Sequence, residues 1–202
     1  GLELGAILGR NVSPQEWEDA LRLGGVEVNH DLMSELQRQR LVITNPKTKG
    51  WSFVHALFRA AILESVDENG RTQQWSGIAA DIVPADAQNV GRRARFLLAA
   101  NRTEEALDPL YRTIVRFSRI GEHARARHLL TVRRDMMQSV TVEPRSRHAL
   151  GSAVAMVMVA ERDGRYAVLQ QHGAEYIAWA EECEDWPAVV LLKLEFGNSF
   201  HA

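Results

Sequence analysis

The stretch Leu41-Val42-Ile43-Thr44-Asn45-Pro46-Lys47-Thr48-Lys49-Gly50-Trp51-Ser52-Phe53-Val54 decides how the first part of the chain folds. Leu41 to Thr44 is short and β-branched, and Trp51 to Val54 is short and aromatic. Side chains of both kinds pack well on a pleated surface. Between the runs, Asn45-Pro46 and Gly50 bracket a polar turn. Two strand-like runs about such a turn predict a β-hairpin.

Helical patterns flank the hairpin. Residues 3–9 form a short apolar segment that reads as the end of a helix. Ser13-Pro14-Gln15-Glu16 then opens another: Ser13 can cap it, Pro14 suits its first position, and Glu16 can complete a capping box. Trp17, Ala20, Leu21 and Leu23 supply its apolar positions, and Gly24-Gly25 ends it. A further helix is predicted from Asp31 to Arg38, with Leu32, Met33 and Leu36 inward. After the hairpin comes a helix with Leu57, Ala60, Ala61 and Leu63 as its apolar positions, then one from Arg71 to Val83 that Pro84 stops. Helix, helix, hairpin is the order of a winged helix, a helix-turn-helix variant with a two-stranded wing, and residues 1–83 are assigned to it.

From Ala85 onward the strand signals vanish. Turn or start signals fall near Asn101-Arg102, Gly121, Glu143-Pro144, Asp163-Gly164 and Asp185-Trp186-Pro187. Each helical pair then spans roughly forty residues, longer than the 34-residue tetratricopeptide unit yet typical of helical solenoids. Ala106, Ala124, Ala126 and Ala167 are expected at close-packing positions, and Trp75, Tyr111, Phe117, Tyr166, Tyr176, Trp179 and Trp186 in the gaps between helices. The predicted fold is therefore mainly α: a winged helix with a small β-hairpin, followed over 84–202 by a TPR-like α-helical solenoid, incomplete at its C-terminus.

Composition narrows the function classes. The chain has 202 residues, 46% hydrophobic and 25% charged, with a formal net charge of -2. That is globular, with no overall excess of positive charge for nucleic acid. Cys183 is the single cysteine, so no disulfide closes within the chain, and a reducing cytoplasmic setting is expected. No apolar run reaches the roughly 20 residues of a membrane span, and Gly1 to Gly9 lacks the basic flank of a signal peptide. Gly1 is not an initiator methionine, and Phe196 to Ala202 still reads as helix, so a piece of a longer protein is expected.

Phe53-Val54-His55-Ala56-Leu57-Phe58-Arg59-Ala60-Ala61-Ile62 resembles the region that follows the nucleotide-binding domain in signal-transduction ATPases with numerous domains, the STAND class. Bacterial members carry a strand similar to Phe-x-His-x-Leu-x-Arg at the end of a winged helix. Leu4-Gly5-Ala6-Ile7-Leu8-Gly9-Arg10 resembles the helix that opens that domain. Asn101-Arg102-Thr103-Glu104-Glu105-Ala106-Leu107 and Gly121-Glu122-His123-Ala124-Arg125-Ala126-Arg127 resemble its later helices. The likeness covers roughly residues 3–134. It implies a regulatory part of a signalling protein, such as a multidomain Ser/Thr kinase or a transcriptional activator. It implies an upstream domain holding ATP or ADP, and helical repeats that bind a protein partner or a small-molecule inducer. It also implies that His55, at the wing-to-helix junction, reaches toward the nucleotide phosphates, with Arg59 one turn later. The family often has aspartate after this histidine; Ala56 stands here and leaves the polar site half built.

Catalytic signatures are missing. Neither Gly-x-x-x-x-Gly-Lys-Ser/Thr nor Gly-x-Gly-x-x-Gly occurs, the seven histidines are scattered, and no serine sits in a nucleophile elbow. No catalytic activity and no resident cofactor or metal are expected of the chain itself. Charge is uneven: Arg92 to Arg134 holds eleven arginines against four acids, and Glu175 to Glu195 six acids against one lysine. The two runs read as a pair of solvated faces, with a basic surface for an acidic protein, nucleotide or nucleic acid as the alternative for the first. Residues 1–83 carry eight basic and eleven acidic side chains, a poor footprint for DNA even counting Arg38, Arg40, Lys47 and Lys49. A stand-alone TPR-like protein-binding scaffold and a winged-helix DNA-binding regulator are the alternatives to the regulatory segment.

Overall fold

A computed structural model describes residues 1–27, 30–46, 49–141, 143–162 and 167–200, with the side chains at 30, 31 and 160–162 left out. Lys47, Thr48, the Asp163-Gly164 turn, Tyr166, His201 and the side chains of His30 and Asp31 thus lie outside the described residues. The chain is mainly helical, with eleven α-helices and one three-stranded sheet among the described residues. Its contacts gather into two compact units, Gly1–Arg102 and Thr103–Ala202. Loss of strand signals puts a division at Pro84; packing instead groups residues through Arg102 with the first unit.

The first unit runs α1 (Leu2–Leu8), β1 (Asn11–Val12), α2 (Pro14–Leu23), α3 (His30–Arg38), β2 (Val42–Thr44), β3 (Trp51–Phe53), α4 (Ala56–Glu68), α5 (Thr72–Ile82) and α6 (Val90–Ala99). The expected hairpin forms: β2 and β3 pair antiparallel, with Ile43 opposite Ser52 and Val42 opposite Phe53. A third strand, β1, pairs with the other edge of β3, so the sheet order is β1-β3-β2. The period of two sends Trp51 and Phe53 inward and Ser52 outward. There the Ser52 hydroxyl donates to Asn11 Oδ1 at 2.8 Å.

Helix α2 begins at Pro14 and ends as expected. Gly25 takes φ 63°, Gly25 N–H donates to Arg22 O and Val26 N–H to Leu21 O. This is the Schellman pattern that only a residue tolerant of positive φ closes cheaply. The capping box does not form: Ser13 makes no side-chain cap bond. Glu16 is drawn instead to Arg92, 76 positions away, through two hydrogen bonds of 2.8 Å.

The inward stripe of α4 also departs from expectation. Phe58, Ile62, Leu63 and Val66 pack on the core, while Ala60 and Ala61 are exposed and Leu57 is 85% exposed. Contact between Phe58 and Phe53, with ring centroids 6.1 Å apart, accompanies this phase. Leu23 of α2 is likewise exposed. Trp51 sits at the middle of the unit, edge-on to Trp17 at 5.4 Å and to Phe53 at 5.0 Å. A Cβ on Gly5 of α1 would lie 2.5 Å from the Trp51 ring, so α1 approaches that closely only because residue 5 has no side chain.

The second unit is α7 (Glu104–Arg119), α8 (His123–Gln138), α9 (Arg147–Arg162), α10 (Ala167–Glu182) and α11 (Trp186–Asn198). No strand occurs there among the described residues. Each described turn or start signal after Ala85 falls in a break between helices or at a helix start. Asp185 caps α11 by accepting from Ala188 N–H at 3.2 Å, and Pro187 stands in the first turn. Packing runs mostly between neighbours: α8 on α7, α9 on both, α10 on α9, and α11 on α10 and, more lightly, α9. The core gathers Leu150, Val154, Met158, Leu169, Val189 and Leu192. Ala106 and Ala126 are buried at helix contacts, but Ala124 and Ala167 are exposed. Phe117 is buried, as Trp75 is in the first unit, whereas Trp186 faces solvent with Val190 and Leu194 along one side of α11. No described helix is long and apolar enough to cross a membrane.

Candidate functional site

His55 stands where the chain leaves the sheet. Val54 N–H donates to Leu41 O at 3.0 Å, and His55 takes an extended backbone, φ -105° and ψ 122°, before α4 begins. The residue is exposed and makes no side-chain cap bond to the helix. Ala56 beside it brings no charge. Arg59 follows one turn later, but its Nε–H donates to Ala6 O at 2.9 Å. That carbonyl belongs to α1 near its C-terminal end, where the helix presents partial negative charge and carbonyls without intrahelical partners. Partial burial lowers the Arg59 pKa. The two residues are thus near in sequence but differently committed: Arg59 ties α4 to α1, and His55 is left to solvent.

The arginine run does not form one basic surface. Arg92 holds Glu16 and the Leu8 carbonyl, Arg93 donates to Ala80 O at 3.0 Å, and Arg102 pairs with Asp81 at 2.8 Å. In the second unit Arg125 lies over the Phe117 ring at 4.2 Å, while Arg112, Arg116 and Arg119 of α7 are exposed. The acidic run has local partners: Glu182 with Arg145 at 3.0 Å, Glu181 with Lys193 at 2.8 Å, and Asp185 with Arg147 at 3.9 Å. In α3, Arg38 donates through Nε to Glu35 at 2.9 Å, which further thins the basic side chains a DNA contact could use.

Arg133 is the residue whose environment the run of like charges concealed. It is 1% exposed on α8. Its Nε–H donates to Leu107 O of α7 at 3.1 Å, Nη2 to His148 O of α9 at 2.9 Å, and Nη1 to the Ser152 hydroxyl. Among the described residues no carboxylate is bonded to it. Burial brings its pKa down to about 10, so the side chain is charged at neutral pH. A signal was present: Ala126, Leu129, Arg133 and Met136 recur at helical spacing and all four are buried, so an arginine stands in an apolar stripe. Beside it, Tyr111 is pushed up to about 12, chiefly by burial and then by Asp185.

Arg133 and Ser152 line a groove of about 410 Å³ between α8 and α9, walled by Leu130, Met137, Ala153 and Met156. Thr131 and Arg134 complete its rim. In the first unit a more polar hollow of about 560 Å³ lies around Asn11, Ser13 and Asn45, and the Glu16–Arg92 pair occupies its wall. Among the described residues no three His, Cys, Asp or Glu side chains gather to hold a metal ion. No protein-family model matches the chain, and neither a curated protein nor a solved structure does.

Proposed function

We propose that the chain is the regulatory segment of a STAND-type signalling ATPase, its first unit a winged helix and its second a TPR-like array. The observation that carries this is the placement of His55. The order helix, strand, helix, helix, strand, strand, with the first strand paired to the third, supports the winged-helix reading. His55 is exposed at its strand-to-helix junction, where the resembling family presents a phosphate-contacting histidine. Arg59, one turn later, is anchored through Nε to Ala6 O, which leaves its Nη groups to assist at the phosphates. Helices packed mainly on their sequence neighbours support the array, since each hairpin buries apolar surface against the next.

In this scheme an upstream domain supplies the phosphate loop that the chain lacks. The first unit closes over bound ADP, and the array carries the signal site. A signal opens the protein only to the extent that it binds the open state more tightly than the closed one. The test is His55→Ala in the whole protein, measuring ADP retained after gel filtration and the basal output. Faster ADP loss and raised output are expected; no change in either removes His55 from the mechanism.

A second reading, a protein-binding scaffold without an ATPase, is favoured by one observation: Trp186, Val190 and Leu194 line up exposed along α11. Coding sequence upstream without a nucleotide-binding domain selects it.

A further inference from the structure

The groove between α8 and α9 combines apolar walls with a buried charge that has only neutral bonding partners. Arg133 has five N–H donors and uses three, on Leu107 O, His148 O and the Ser152 hydroxyl. Buried charges ordinarily pair with an opposite charge. The helix opposite is adapted to the guanidinium. Gly151 lies inside α9, and a Cβ there would come 3.1 Å from Arg133 Nη2. Glycine within a helix costs about 1 kcal/mol relative to alanine, so α9 tolerates that cost where the charge is seated. The groove's volume of about 410 Å³ lies in the range of small-molecule sites.

We propose that this groove binds an amphipathic carboxylate, its hydrocarbon chain along Leu130, Met137, Ala153 and Met156 and its head group against Arg133 and Ser152. A carboxylate is acceptor-only and matches the N–H groups that Arg133 has left, and charge-assisted bonds of this kind are about twice as strong as neutral ones. The apolar walls take the chain out of water. Asp108 offsets part of the Arg133 charge from a distance without bonding to it; an alcohol of the same length gains the walls but adds no charge-assisted bond, and an amine of that length adds a further positive charge beside Arg133 and Arg134. The regulatory meaning of such a ligand rests on the function proposed above; the binding does not.

The 202-residue chain is titrated by calorimetry with decanoate, decanol and decylamine below their aggregation concentrations. Decanoate is expected to bind one to one, at least tenfold more tightly than decanol, with no binding of decylamine. Met156→Glu places a carboxylate at the exposed rim of the groove and is expected to weaken decanoate at least tenfold while leaving thermal unfolding unchanged. Arg133→Met, where it folds, is expected to equalise decanoate and decanol. Equal affinity of the unaltered chain for decanoate and decanol, or undiminished decanoate binding in Met156→Glu, overturns the proposal. Decanoate binding without any effect on ADP release by the whole protein upholds the site and overturns the coupling scheme instead.

Discussion

The two units are held together over different distances along the chain. In the first, side chains bridge residues far apart. Arg92 reaches Leu8 across 84 positions and Glu16 across 76, Trp75 Nε1–H reaches Glu3 across 72, and Arg59 reaches Ala6 across 53. In the second, the bridges are short. Arg133 spans 15 to 26 positions, Gln170 reaches Ser199 across 29, and Cys183 reaches Arg145 across 38. A unit closed by distant contacts forms only when both ends are present, whereas a unit built from neighbours gains its stability pair by pair. The first is therefore expected to respond to damage as a whole and the second in parts.

Trp51→Ala is the strongest way to break that contrast. It removes the ring that meets Trp17, Phe53 and α1 at Gly5, and truncation of a buried tryptophan costs about 3–5 kcal/mol. Urea unfolding should show that loss, and amide exchange should speed up throughout α1, α2 and α4. Loss of protection confined to β3 would mean that the first unit is no more cooperative than the second. Arg133→Ala tests the other side. Removing a large buried side chain and its three hydrogen bonds should cost about 3 kcal/mol, with faster exchange in α7, α8 and α9 and little change in α11. Equal loss across the whole second unit would contradict pairwise stacking. The smallest effect sharpens the comparison. Glu16→Gln keeps the shape but weakens the link to Arg92; the glutamate and arginine side chains are 19% and 32% exposed. About 1 kcal/mol is expected by denaturant titration, because partial exposure screens the pair.

The hairpin and the helical breaks are legible in the residues themselves. A turn rich in Asn, Pro and Gly between β-branched and aromatic runs has few other solutions, and Pro187 after Asp185 marks a helix start by local chemistry alone. Strand β1 is not legible, because two residues, Asn11 and Val12, carry no period. Neither is the phase of α4. Ala56, Leu57, Ala60 and Ala61 are as apolar as the face that Phe58, Ile62 and Leu63 present to the core. Of the candidate site, the motif singles out His55, which is exposed at the junction, while Arg59 serves the end of α1. Arg133 stands out in the sequence only as one of eleven arginines, although its place in the stripe of Leu129 and Met136 marks it as buried.

What the sequence determined by itself is local: where helices start and stop, where the chain turns back, and that residues of the second half alternate between helix and turn. These follow from backbone conformation and hydrogen bonding within a few residues, which the side chains at those positions control. Only the tertiary structure decided which of two apolar faces is buried, that Glu16 abandons its own helix for Arg92, and that a charged guanidinium sits between α7, α8 and α9 with Ser152 and backbone carbonyls for company. Each of those outcomes is a competition between a local partner and a distant one, and the winner depends on which groups packing brings together.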